Sequence, residues 1–392
     1  MPELRALPVA DRIALVRSIL EPFPELASGV HQEHFGRIIE EHGVHAVFGY
    51  LRRRKLVNAA LAVHGRHPAV GDEQGPFGRS LRIGLAVRAL QVAELARLAA
   101  AFDSRGLEWI AYKGVVLDHL VDNLDIPSLS NDIDVLVRRV RLAETRELLE
   151  SLGYRTELRI DRGRVRQLPT RIRRMTEESV YFFGQCAPYD RLVAVPELRD
   201  EADRVQELMP TQFCVLDGEL HFKLSIDLHY SLNLLTDDIG TRVKPGEPVW
   251  WEQLQRVEVG GTEVPTLADR VLSWVLLHRL YVDCLVLGTA GVKGLSNVKL
   301  LHRAGRLDVP HVRDTARKFP YLGPSLLYSL RAADRICALG LDPDIDLAAV
   351  RGTVAPLMNA GDCLPALLDF GLDLRLGPLG ADAVDAVMAR TF

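Results

Sequence analysis

The chain has 392 residues, 48% of them hydrophobic and 26% charged, with a formal net charge of -4 at pH 7 and a pI near 6.3. Such a balance suits a packed protein of two or three domains and excludes a globally basic nucleic-acid binder, so a polyanion such as tRNA would have to be met by a local patch. The most apolar long run, residues 83–102, is interrupted by Arg88, Glu94 and Arg97, which excludes a bilayer-spanning helix and a membrane partner.

The N-terminus, Met-Pro-Glu-Leu-Arg-Ala, has no basic segment leading into an apolar run, so no signal peptide is expected. Cys186, Cys214, Cys284, Cys337 and Cys363 are odd in number and lack CxxC spacing. They read as reduced thiols of a cytoplasmic protein without a zinc site.

Residues 1–78 read as an N-terminal helical region. Ile13, Leu15, Val16, Ile19 and Leu20, then Phe35, Ile38 and Ile39, recur at helical period. His31, His34, His42 and His45 lie here among glutamates without ordered ligand spacing, and solvated helix surface is their expected role. Residues 65–78, with Pro68, Gly71, Gly75 and Pro76, have loop composition. A long helix is predicted over 80–104, apolar on more than one side and ended by Gly106 as a left-handed cap.

Residues 79–265 read as the catalytic domain. The apolar segment Trp109 to Tyr112 runs into Lys113-Gly114, which predicts a strand, a turn and a helix N-terminus where backbone N–H groups can meet a phosphate. In Asp132-Ile133-Asp134-Val135-Leu136-Val137 the carboxylates stand two apart in a strand-like run, so both face the same way. Adjacent anions raise each other's pKa unless a cation stands between them, and Mg²⁺ answers that need with carboxylates, phosphates and water. A helix is predicted over 140–152.

Residues 155–219 form a long elaboration, strongly basic at first through Arg155, Arg159, Arg162, Arg164, Arg166, Arg171, Arg173 and Arg174. It reads either as an anion-binding segment, since guanidinium matches phosphate geometry, or as a solvated helix or loop. Strands are expected at 180–183, 192–195, 213–216 and 221–228. In the last, Asp227 shares a face with Ser225 and His229. Gly260-Gly261 suggests a hairpin, and residues 266–392 read as a C-terminal helical bundle, with helices at 271–281, 295–304, 312–318, 324–339 and 381–388. There His278, Lys293, Asn297 and Lys299 are acceptor-contact candidates by position alone.

Lys113-Gly114, Asp132-Ile133-Asp134-Val135-Leu136-Val137 and Asp227-Leu228-His229-Tyr230, in that order, resemble the nucleotidyltransferase superfamily typified by DNA polymerase β and the aminoglycoside nucleotidyltransferases. The nearest branch looks like the largely uncharacterised bacterial nucleotidyltransferases, and the likeness covers roughly residues 100–235. The resemblance implies an α+β fold, a polymerase β-like core with a mixed sheet flanked by N-terminal and C-terminal helical regions. It implies Asp132, Asp134 and Asp227 as catalytic residues and ligands of a two-ion Mg²⁺ site, with Lys113, Gly114, Asn131 and His229 around the nucleotide. The implied reaction moves NMP from an NTP such as ATP to an acceptor, a small molecule, peptide or tRNA, and releases pyrophosphate. The competing reading is a catalytically silent nucleotide-binding or regulatory protein on the same fold.

Overall fold

The computed structural model describes residues 7–21, 29–123, 125–126, 130–156, 158–161, 163–167, 184–232, 247–286, 292–341 and 345. The chain divides into two compact units, one of residues 1–81, 241–244 and 269–392 and the other of residues 82–240 and 245–268. The strands and helices confirm a mixed α+β fold.

The first unit is helical. Its N-terminal part comprises α1 (Val9–Leu20), α2 (Gly29–His42), α3 (Val44–Arg53), α4 (Val57–His64), the short α5 (Pro68–Gly71) and the start of α6 (Pro76–Ser104). The stretch read as a loop at 65–78 thus contains a turn of helix, and α6 begins earlier than its periodicity suggested. Pro68 and Pro76 each stand at a helix start, where a missing N–H costs nothing. Leu15, Phe35, Ile38 and Leu51 are fully buried. His64 is buried too, stacked on Phe35 with ring centroids 4.0 Å apart.

The second unit carries the sheet. Along its path β1 (Trp109–Ala111) pairs antiparallel with β2 (Asp132–Val137), and β2 pairs parallel with β7 (Glu219–His229). The other edge of β7 is taken by β5 (Tyr189–Ala194), and β6 (Phe213–Leu216) pairs with its first residues, both antiparallel. The β-branched run of β2 puts Ile133, Val135 and Val137 into the core, each 1% exposed or less. α6 lies against this core through Leu95, Leu98 and Phe102, the last stacked on Trp109 at 5.2 Å.

α7 (Val115–Leu120) and α8 (Leu142–Ser151) follow β1 and β2. The basic first part of the elaboration forms a hairpin where it is described: β3 (Leu158–Asp161) and β4 (Arg164–Gln167) pair antiparallel. The reason lies in the alternation of arginine with Leu158, Ile160 and Val165, a period-two pattern masked by the charge. α9 (Ala202–Leu208), α10 (Glu247–Trp251) and the hairpin of β8 (Leu254–Val259) and β9 (Thr262–Leu267) complete the unit. In the first unit, α11 (Asp269–Tyr281), α12 (Val292–Arg303), α13 (Val309–Lys318) and α14 (Gly323–Cys337) supply the C-terminal helices. Arg162, Arg171, Arg173, Arg174, Cys363 and the segments expected at 180–183 and 381–388 lie outside the described residues.

Candidate active site

The parallel register of β2 and β7 sets Asp132 opposite Ser225, Asp134 opposite Asp227 and Leu136 opposite His229. Side chains opposite one another share a face, so a single polar row runs across the middle of an otherwise apolar sheet. Asp134, Asp227 and His229 each present a ligand atom within 4.8 Å of the other two. Where the sequence pointed to three carboxylates, this radius holds two carboxylates and an imidazole. Asp132 stands on the same face one step earlier in β2, half-buried, with its Oδ1 accepting a 2.7 Å hydrogen bond from Ser130 Oγ.

Asp134 and His229 are buried, and Asp134 Oδ1 has the Lys113 ammonium 2.5 Å away and His229 Nε2 3.2 Å away. Burial alone would raise its pKa, but the Lys113 charge and the His229 contact act the other way and hold the carboxyl well below the usual range. Asp134 is therefore ionised, and Lys113 is its counter-ion. Tyr112 braces both partners: the Lys113 Nζ lies 5.1 Å from its ring centroid, and the His229 ring meets it edge-on at 5.8 Å.

Gly114 makes the turn after Lys113 at φ 57°, ψ -125°, a backbone region essentially confined to glycine. A Cβ there would also lie 3.0 Å from Ser130 Oγ. Glycine is thus required twice, and it brings the turn against the residues that open β2. Half-buried Asn131 sits in that opening. Gln91 of α6 donates to the carbonyls of Ser130 at 3.0 Å and Asp132 at 3.3 Å, fixing the strand entry from outside.

A further carboxylate lies on the same face, which sequence reasoning missed. Asp190 of β5 stands opposite Ser225, accepts its hydroxyl at 2.6 Å and lies 3.5 Å from Lys223 Nζ. Burial pushes its pKa up against the pull of Lys223 and Ser225. Ser225 was legible from its alternation with Asp227; Lys223, one step further along the same alternation, was passed over, and Asp190 was out of reach, because only strand pairing brings it there. Of the acceptor candidates in the helical unit, His278 is buried with its Nδ1 2.9 Å from Ser325 Oγ. Lys299 is also buried and donates to the Ile19 carbonyl at 3.4 Å.

The donor chemistry suits a hard divalent cation. Two carboxylates of adjacent strands supply oxygens, and His229, in contact with Asp134, can orient that carboxylate as imidazoles do around metal sites. Among the described residues no helix is long and apolar enough to cross a membrane. A family model described as an uncharacterised nucleotidyltransferase matches residues 29–337. No curated protein and no solved structure matches the chain.

Proposed function

The chain belongs to that uncharacterised nucleotidyltransferase family, and from this premise we propose that it transfers NMP from an NTP to an acceptor nucleophile and releases pyrophosphate. The observation that carries the reading is the meeting of Asp134 and Asp227, far apart in the chain, beside the Lys113 ammonium. Nucleotidyltransferases generally use divalent metals. Asp132, Asp134 and Asp227 would hold Mg²⁺, a two-ion site, and bound Mg²⁺ would offset the charge that grows on the phosphoryl oxygens.

The chain's own residues divide the remaining work. Lys113, released from Asp134, offers its ammonium to a phosphate oxygen, and the Gly114 N–H offers a second donor. His229 keeps Asp134 oriented. Asp227, half-exposed, takes the proton from the acceptor hydroxyl as that oxygen forms its bond to the α-phosphorus. The bond from the α-phosphorus to the bridging oxygen breaks, and pyrophosphate leaves with the electron pair. Acceptors of three classes remain in play: small molecule, peptide and tRNA, the last favoured only by the exposed arginines of β3 and β4.

A second reading, a catalytically silent nucleotide-binding protein, draws on the Lys113–Asp134 ion pair, which neutralises the central carboxylate without any metal. One experiment separates the two. The protein is incubated with Mg²⁺ and each labelled NTP, with cell extract as acceptor source, and labelled product and pyrophosphate are measured. Transfer that vanishes in Asp134→Asn and Asp227→Asn supports the enzyme; pyrophosphate absent with every NTP, or transfer retained in Asp227→Asn, removes it.

A further inference from the structure

The hairpin of β3 and β4 has two unlike faces. Its register puts Arg159 opposite Arg166 and Asp161 opposite Arg164 on one side, with Leu158, Gln167, Ile160 and Val165 on the other. Ile160 is 1% exposed and anchors the second face, whereas every residue of β4 is exposed. The first face therefore carries three guanidiniums and one carboxylate. Arg159 and Arg166 are like charges directly opposite each other, which weakens a strand pair, and a two-stranded hairpin is marginal in water to begin with. Asp161 gives its carboxylate to Arg166 at 3.3 Å. Among the described residues Arg159 and Arg164 have no carboxylate partner, so nothing within the hairpin offsets their repulsion.

This basic ribbon follows directly on a row that begins in the candidate active site. Asp132 of β2 is paired with Ser225 of β7, Ser225 with Asp190 of β5, and Asp190 with Arg155, the last through two backbone hydrogen bonds of 2.9 and 2.8 Å. Directly paired residues share a face, so the row crosses the sheet on the side that holds Asp134 and Asp227. At about 4.8 Å per strand, Arg155 lies on the order of 14 Å from Asp132. The hairpin opens at Leu158, immediately beyond that edge. Arg155 donates to the carbonyls of Glu150 and Tyr154 and keeps its positive charge there.

We propose that the face of Arg159, Arg164 and Arg166 binds the phosphodiester backbone of a nucleic-acid strand and that, resting on the transferase reading above, this strand is the acceptor. Cations spread along a ribbon suit a chain of regularly spaced phosphates better than one small anion, and the guanidinium fork matches each phosphate. A nucleic-acid strand also brings a terminal hydroxyl, the nucleophile that the proposed transfer needs, on the same backbone that the arginines hold. The face has no aromatic ring on which a base could stack, so it grips the backbone without reading sequence.

The test is fluorescence anisotropy of end-labelled oligouridylate and oligothymidylate of equal length, titrated with the full chain over a salt series, without NTP or Mg²⁺. The combined variant Arg159→Gln, Arg164→Gln, Arg166→Gln is expected to bind about tenfold or more weakly. Its slope of log affinity against log salt should be shallower by about two, at roughly 0.7 per phosphate contact. Asp161→Asn removes the carboxylate of the face and should tighten binding severalfold, a gain that loss of fold would not produce. Unchanged affinity in the combined variant, no tightening in Asp161→Asn, or oligoglutamate bound as tightly as the oligonucleotides overturns the surface. The tighter of the two oligonucleotides tells RNA from DNA. The acceptor role has its own readout: label transferred from an NTP should be released from the product by ribonuclease or deoxyribonuclease, and labelled product that resists both overturns it. Absence of all transfer removes the transferase reading and the acceptor role with it, while the anisotropy still decides the binding surface.

Discussion

Asp134 concentrates the electrostatics of the sheet unit. Its charge is stabilised by one ammonium and one imidazole in a setting that would otherwise neutralise it. Replacing it by asparagine keeps the shape and removes the charge, so divalent-ion binding, read by calorimetry, is expected to be lost. Transfer should fall by at least about a thousandfold, several kcal/mol of transition-state stabilisation. A different residue governs the response to acid. Burial lowers His64 from 6.5 to about 4, while its Nε2 stays 3.0 Å from the Ser18 carbonyl. In the unfolded chain His64 takes up a proton below about pH 6.5 that the folded chain refuses until about pH 4, so stability is full above that window and drains as pH falls through it. The loss is on the order of 3 kcal/mol. Denaturation midpoints measured from pH 7 to pH 4 should show it, and His64→Gln should flatten the slope.

At the scale of elements, the turn between β1 and α7 is the tightest constraint. Gly114→Ala is expected to destabilise by about 1 to 3 kcal/mol and to displace Ser130 from Asp132, because both the backbone angle and the space forbid a side chain. Urea midpoints and metal affinity measured together would reveal both effects. Glu94 of α6 gathers three side chains: it accepts from Arg97 of the same helix, from the Tyr154 hydroxyl at 2.6 Å and from Arg191 of β5 at 2.5 Å, itself 3% exposed. Glu94→Ala takes the carboxylate from Arg191 and leaves Arg97 only the Leu152 carbonyl, and it should cost about 1 to 3 kcal/mol, seen as a lower melting temperature of the full chain.

The elements also show why some of the fold was readable and some was not. β2 and β7 announce themselves because alternating polar and apolar residues leave one interpretation of which face is buried. Lys113-Gly114 is equally plain, since a glycine after a buried strand marks a turn. The hairpin of β3 and β4 was hidden by its arginines, whose charge dominates the composition while the apolar residues between them carry the period. Asp190 and Gln91 were out of reach: each acts through a partner remote in the chain, and no local pattern encodes that distance.

For the whole molecule, the helices at 9–20 and those at 269–337 share one unit. α1 contributes Leu15, Val16, Ile19 and Leu20 to its core, each 1% exposed or less, and Lys299 of α12 reaches back to the Ile19 carbonyl. Burying four such side chains is worth about 6 to 12 kcal/mol, comparable with the entire stability of a domain. Removal of residues 1–28 should therefore unfold the C-terminal helices along with the N-terminal ones. Helical circular dichroism and the rate of trypsin cleavage after residue 269 would report it, and a truncated chain with native helicity would refute it.

The pairing of β2 with β7 carries one more implication. Sliding one strand past the other by a single residue would turn its carboxylate to the opposite side of the sheet. Misassembled molecules would then lack the proposed cation site wholesale, and no chain would retain a fraction of it. The stoichiometry of tightly held divalent ion would serve as a head-count of correctly assembled protein in any preparation.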